Sequence, residues 1–172
     1  MSNNDGKKLF FWLIGGFTVV LLLIIILFSV NEQKNSLSAQ VAAYSAGQTD
    51  KPQVETADTF SDLGTMKVSQ EKTGRFTLTN DGNKPLQLFD ITSSCGCTVG
   101  QIDIGGIVSP EFGMHSKSNW VGKVQPGQSA AVSVIYRPFV MPVKGIVNRD
   151  VYIHTNDPDH QLLTFTVKAD VQ

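Results

Sequence analysis

The sequence predicts an all-β domain, a two-sheet antiparallel sandwich, carried behind one N-terminal transmembrane helix. Three observations lead there: a long uncharged run near the amino terminus, a series of short alternating segments separated by turn residues, and no sustained 3.6-residue period beyond that run. A chain of 172 residues has room for about one domain plus accessories.

Leu9 to Val30 reads LFFWLIGGFTVVLLLIIILFSV and contains no charged side chain. At ~1.5 Å rise per residue, a helix of about 22 residues crosses a ~30 Å hydrocarbon core. A helix buried in a soluble core would keep a polar stripe, and this run has none. A cleaved signal peptide has an apolar region of only about 7 to 15 residues with small residues close behind. Here the nearest such site, Val41-Ala42-Ala43, lies well downstream, so the run reads as an uncleaved single-pass anchor. Lys7 and Lys8 precede it, whereas the far side offers only Lys34 with Glu32 nearby. Basic residues resist translocation, which keeps residues 1–8 as a cytoplasmic tail and sends everything after Val30 outside. Disulfides persist in such a compartment, so a count of two cysteines carries meaning.

Residues 31–57 are rich in Ser, Ala, Gln, Asn and Thr with one proline, Pro52, and read as a polar stalk. Residues 58–172 change texture. Arg75 to Asn80 alternates, with Phe76 and Leu78 on one face, and Asp81-Gly82-Asn83-Lys84-Pro85 reverses the chain into a strand over Leu86 to Thr92. Gln125-Pro126-Gly127-Gln128 turns into Ser129 to Tyr136, where Ala130, Val132, Val134 and Tyr136 share a face; Arg137-Pro138 ends that strand. Asn148 to Thr155 and Leu162 to Val171 flank Asn156-Asp157-Pro158-Asp159-His160 and form a hairpin, with Leu163, Phe165, Val167, Ala169 and Val171 pointing inward. Around seven short strands in about 115 residues is the pattern of a sandwich. Residues 58–172 carry ten Lys and Arg against eleven Asp and Glu, interspersed, which supports neither nucleic acid nor a polybasic lipid-binding face.

Asp62-Leu63-Gly64-Thr65, Phe76 to Gly82, Lys84-Pro85-Leu86, Ser94-Cys95-Gly96-Cys97-Thr98 and Pro126-Gly127-Gln128 occur in that order. Together they resemble the bacterial Ig-like envelope family called domain of unknown function fifteen seventy-three, whose pattern runs D-F-G-T, F-x-x-x-N-x-G-x-K-P-L, S-C-G-C-T and P-G-E. The resemblance covers nearly all of residues 58–172. It implies an immunoglobulin-like sandwich that is secreted or membrane-attached, with no established activity, similar in general shape to sperm-protein and cilium-associated domains that bind partners. Combined with the anchor, this places the chain in the cytoplasmic membrane of a bacterium, N-terminus inside and C-terminal domain in the periplasm or outside the cell.

The sequence departs from the family pattern after Thr98, where Val99 to Val124 stands in place of a short loop. A long loop in a compact domain is often functional. Phe112, Gly113 and Trp120 within it are the expected partner-binding residues.

Cys95 and Cys97 are the only cysteines. In an extended segment residues i and i+2 point to the same side, and Gly96 lets the backbone bend between them. A local disulfide is one reading; a ring so small would fix a bend rather than hold the domain together. A soft-metal site is another: two thiolates suit Cu(I), with Met114 and His115 adding a thioether and an imidazole if the loop folds over them. Structural zinc would need two further ligands from His115, His154, His160 or a carboxylate. Thiol–disulfide exchange is a third, although neither a Cys-x-x-Cys nor a thioredoxin-like pattern is present; buried inert thiols are a fourth. His154 and His160 flank the hairpin turn, where a histidine is ordinary.

Hydrolase motifs are lacking: there is no Gly-x-Ser-x-Gly, no His-Glu-x-x-His and no phosphate-binding glycine loop. The expectation is a non-catalytic, membrane-anchored Ig-like domain that binds or assembles an envelope protein, with no cofactor and no small-molecule substrate called for. The alternative is a copper-binding or thiol-redox envelope protein working through Cys95 and Cys97 with Met114 and His115.

Overall fold

The computed structural model describes residues 12–13, 15–22, 24 and 41–172. Two compact units divide the chain at Gln40 and Val41. The described residues of the first are helical and fall within the predicted span. Among the described residues no helix is long and apolar enough to cross a membrane. The remainder of the span, the tail 1–8 and residues 31–40 of the stalk lie outside the described residues.

The second unit holds ten strands: β1 Val54–Thr56, β2 Phe60–Met66, β3 Lys72–Asn80, β4 Leu86–Ser93, β5 Thr98–Ile104, β6 Ile107–Val108, β7 Gly122–Val124, β8 Ser129–Tyr136, β9 Gly145–Thr155 and β10 Leu162–Val171. They form two sheets, in the orders β1-β3-β8-β5-β6 and β2-β10-β9-β4-β7. Every pairing is antiparallel except β2 with β10, which run parallel. The chain passes from one sheet to the other at every connection except β5–β6 and β9–β10.

Alternation creates the core. Gly74, Phe76, Leu78 and Asn80 of β3 face inward, as do Ala130, Val132, Val134 and Tyr136 of β8. The opposing sheet supplies Val151, Ile153, Phe165 and Val167, and the rings of Phe76 and Phe165 meet at 5.1 Å. Asp90 in β4 adopts φ 45°, and the register against β9 shifts between Phe89 and Thr92. That bulge moves the inward set from Leu86 and Leu88 to Ile91 and Ser93.

Ahead of the boundary expected at Asp58, the compact unit begins at Val41 and its first strand at Val54. Pro52 and Val54 are buried, and β1 pairs with Leu78 to Asn80 of β3. Ala42 N–H donates to Gln87 Oε1 at 2.7 Å, and Lys51 pairs with Asp159. A polar composition looks like a tether, yet these residues satisfy their backbone groups on the sheet edge and the neighbouring loops.

Asn80 and Gly82 of the Phe76–Gly82 motif, and Asn156 of the β9–β10 turn, are fasteners of the fold. Asn80 is fully buried; its Oδ1 accepts from the N–H groups of Gln53 (3.3 Å) and Gly82 (3.0 Å), and its Nδ2 donates to the carbonyls of Lys84 (2.8 Å) and Val124 (2.9 Å). Gly82 sits against the incoming strap: a Cβ there would fall 2.4 Å from both Lys51 O and Gln53 N. Asn156 accepts from Gln87 N–H at 2.8 Å and donates to Gln87 Oε1 at 3.1 Å, fixing the β9–β10 turn to β4.

Candidate functional site

The crossover from β4 to β5 is the Cys95-Gly96-Cys97 segment, so the signature cysteines stand where the chain passes from one sheet to the other. They lie in a turn and not in the extended segment the sequence suggested. Thr98 N–H donates to Cys95 O at 3.2 Å, which closes the turn. A disulfide joins Cys95 and Cys97, whose Cα atoms are 5.3 Å apart.

The turn is held from every side. Arg137 N–H donates to Cys97 O at 2.8 Å, and Ser94 N–H donates to Asp150 O at 3.0 Å. Asp150 N–H returns a bond to Ser94 Oγ at 2.9 Å, while the Ser93 hydroxyl lies 2.9 Å from Cys95 O and 2.7 Å from Thr98 O. Such a turn does not require a covalent link. Closing a three-residue loop also constrains little of the unfolded chain, so the disulfide adds little stability.

The two sulfurs differ in surroundings. Cys97 is 1% exposed and packs in the core, whereas Cys95 is half-buried at its margin. Arg149 of β9 donates from Nε to Cys97 Sγ at 3.3 Å, with its guanidinium carbon 5.6 Å from the centre of the Tyr136 ring. Its Nη1 donates to Asn148 O at 2.8 Å, which helps fix the side chain. Cys97 N–H lies 3.3 Å from Cys95 Sγ, and Thr98 Oγ1 lies 3.4 Å from it. Tyr136, whose ring lies beside Arg149, keeps its Oη buried without a hydrogen-bond partner.

Beside the turn runs an apolar ledge. Pro138–Val140 form a 3₁₀ turn after β8, and Phe139, Val140 and Met141 are 49%, 51% and 52% exposed. Met141 Sδ would lie 3.7 Å from a Cβ placed at Gly96, so ledge and disulfide adjoin. Next to it, Arg137 is bidentate to Glu111 (2.7 and 2.8 Å) and bonds Glu71 through Nε. Hydrogen bonds from Arg137 hold the Glu111 carboxyl below the usual carboxylate range, and those carboxylates raise the guanidinium further above its ordinary value.

The residues expected to bind a partner are placed otherwise. Phe112 is 2% exposed and joins the core, with its backbone bridged to Gly100 of β5. Its ring meets Trp120 at 5.5 Å, and Trp120, half-buried, lies over Gly122. The expected contact loop is therefore β5, the β6 edge and a return segment whose aromatic residues face inward; Gly113, half-buried, follows Phe112 into a turn. This corrects the reading of Phe112 as a contact residue: its side chain is used in the core.

Met114 and His115 are exposed in that turn, and the sulfur beside Gly96 is Met141's. Among the described residues no group of three or more His, Cys, Asp or Glu is arranged to hold a metal. His154 lies 4.0 Å from Asp90, and His160 Nδ1 lies 3.1 Å from the buried Asp157. Burial raises the Asp157 carboxyl, but N–H groups of Val54 and Asp159 together with His160 outweigh it and hold the group below its ordinary value.

Sequence reasoning missed Phe139, Val140, Met141 and Arg149. The available signal was an apolar Phe-Val-Met run bracketed by Pro138 and Pro142. Prolines at both ends keep such a run out of a sheet while leaving it apolar.

These features define an immunoglobulin-like two-sheet β-sandwich with a disulfide-closed crossover. Residues 54–111 match the family described as "Protein of unknown function (DUF1573)", which bears out the resemblance over that stretch. No curated protein matches the sequence. Among solved structures, a protein of unknown function from Porphyromonas gingivalis aligns with TM-score 0.53 and 21% identity over 78% of this chain. The chain spans 51% of that structure, about half its length, and the likeness is one of fold. The human CEP192 ASH/PapD-like domain 7 aligns with TM-score 0.45 and 16% identity, covering 79% of this chain and 96% of that one.

Proposed function

We propose that the chain is a non-catalytic, membrane-anchored module that displays its sandwich outside the cytoplasmic membrane of a bacterium and binds a protein partner of the cell envelope. The observation that carries this reading is the ledge of Phe139, Val140 and Met141, three adjacent large apolar side chains each about half exposed. Contiguous exposed apolar surface is costly in water and marks contact sites. The uncharged run of residues 9–30, with Lys7 and Lys8 before it, supports anchoring with the N-terminus inside. A disulfide suits the compartment that this orientation assigns to the domain. Copper ligation by two thiolates would first require that bond to be reduced, and nothing about Met114 or His115 favours it over partner binding.

The test is a photo-crosslinking residue at Met141 in the full chain, expressed in its own envelope, with Lys117 as the comparison position. A discrete crosslinked protein at position 141 and none at 117 is the expected result. Absence of any product at 141, or the same products at both, overturns the reading.

A further inference from the structure

We propose that the Cys95–Cys97 disulfide is a thiol–disulfide exchange site that accepts two electrons from a dithiol protein, with Cys95 as the attacked sulfur and Cys97 as the leaving thiolate. The inference goes beyond partner binding and does not depend on it.

The first argument is that the bond has little structural work. Its ring spans three residues, and backbone hydrogen bonds to Asp150, Arg137 and Thr98 hold the turn without it. The second is the asymmetry of the sulfurs. An incoming thiolate attacks along the S–S axis and needs access to one sulfur only. Cys95 is half-buried beside the exposed, side-chain-free Gly96, while Cys97 is sealed in the core.

The third is Arg149. A disulfide sulfur is a weak acceptor and gains little from a guanidinium at 3.3 Å. A thiolate at the same position gains a charge-assisted hydrogen bond. Arg149 therefore favours the reduced state of Cys97 over the oxidised one, which is what a leaving group needs. Cys97 N–H at 3.3 Å and Thr98 Oγ1 at 3.4 Å do the same, more weakly, for Cys95.

The reaction balances as follows. A partner thiolate attacks Cys95 Sγ; the new S–S bond forms as the Cys95–Cys97 bond breaks, and Cys97 leaves as a thiolate beside Arg149. The partner's second thiol, deprotonated, attacks its own sulfur in the mixed disulfide and releases Cys95 as a thiolate. The partner dithiol is oxidised to a disulfide, and this chain takes up two electrons and the partner's two protons. A protein dithiol approaches over the exposed Met141, whose sulfur borders the turn at Gly96.

The test uses the full chain in mild detergent, dithiothreitol as the reductant under anaerobic conditions, and thiol counting by maleimide mass after acid quench. The expected result is reduction to two thiols with the near-ultraviolet circular dichroism of the sandwich retained. Arg149→Ala slows reduction about tenfold, the scale of one lost hydrogen bond to a charged group, and Arg149→Lys restores most of it. Cys97→Ser takes up glutathione from its oxidised form while folded, and Cys95→Ser does not. The proposal is overturned if the disulfide yields only after denaturation, if Arg149→Ala reduces at the parent rate, or if Cys95→Ser is labelled as readily as Cys97→Ser. Small thiols do not need the ledge, so failure of partner capture at Met141 leaves this result readable.

Discussion

Asn80 Nδ2 donates to the carbonyl of Val124 at 2.9 Å, a hydrogen bond that ties β3 of one sheet to β7 of the other. The same side chain reaches Gln53, Gly82 and Lys84, so one buried amide joins the incoming strap, the β3–β4 turn and the opposite sheet. Asn80→Ala leaves these groups unpaired in a dry site and is expected to cost about 2–4 kcal/mol. Asn80→Asp costs at least as much, because it turns a carboxylate toward the carbonyls of Lys84 and Val124. Thermal unfolding followed by near-ultraviolet circular dichroism measures both; an unchanged midpoint in either would refute the assignment.

Gly82 makes a separate prediction. Its Cβ would collide with backbone atoms of Lys51 and Gln53, both at 2.4 Å, which cannot swing aside as a flexible side chain does. Gly82→Ala should lift the strap off the sheet at a cost of about 1–3 kcal/mol. Hydrogen exchange at Val54–Thr56 should accelerate while Leu162–Val171 stays protected. Equal protection of both in the variant would show that the strap is not seated through Gly82.

Legibility in the sequence followed side-chain burial. Ser129–Tyr136 and Leu162–Val171 bury alternate apolar residues on one face, and their limits were readable to the residue. In sequence β5 looks like the start of a loop because its inward position 100 is glycine: the methyls of Val151 occupy the space, and a Cβ would fall 2.6 Å from Val151 Cγ1. A strand whose inward residue is supplied by its neighbour loses the alternating signal. β2 is an edge strand, exposed over most of its length, and left no hydrophobic pattern either. Phe112 belongs to no periodic segment; a single bridge to Gly100 places it, and no local rule foretells that. The cysteine pair was readable as a local cross-link among other readings, whereas Arg149, 52 residues away in sequence, meets Cys97 only through the tertiary fold.

Asp157 sets part of the acid response. Its carboxyl is held below its ordinary value of 3.8 by two backbone N–H groups and His160, against the opposing effect of burial. A group depressed in the folded state contributes stability that is complete above its unfolded pKa and lost as pH falls through the folded one. The contribution therefore persists at neutral pH and fades below about pH 4. Asp157→Asn turns an NH2 toward Val54 N–H and His160 or toward Asp159 N–H. It should lower the neutral plateau and reduce the fall in stability below about pH 4. Parallel pH–stability curves for the two proteins would refute the assignment.

The last prediction separates core from contact surface. Phe112 lies in the core against Trp120, and Phe112→Ala should cost about 3–5 kcal/mol through lost burial and the cavity left behind. Met141 projects from the ledge at 52% exposure, and Met141→Ser should change stability by no more than about 0.5 kcal/mol. If the ledge receives a partner, crosslinking from a photoreactive residue at Phe139 should fall in Met141→Ser at unchanged protein level. A mild variant placed near Phe112, such as Trp120→Phe, should leave that crosslink unaltered. The reverse pattern, capture lost with Trp120→Phe and kept with Met141→Ser, would return the contact surface to the segment after Thr98. The two variants differ in where their apolar area is spent: a side chain already satisfied by the core has none to offer a partner.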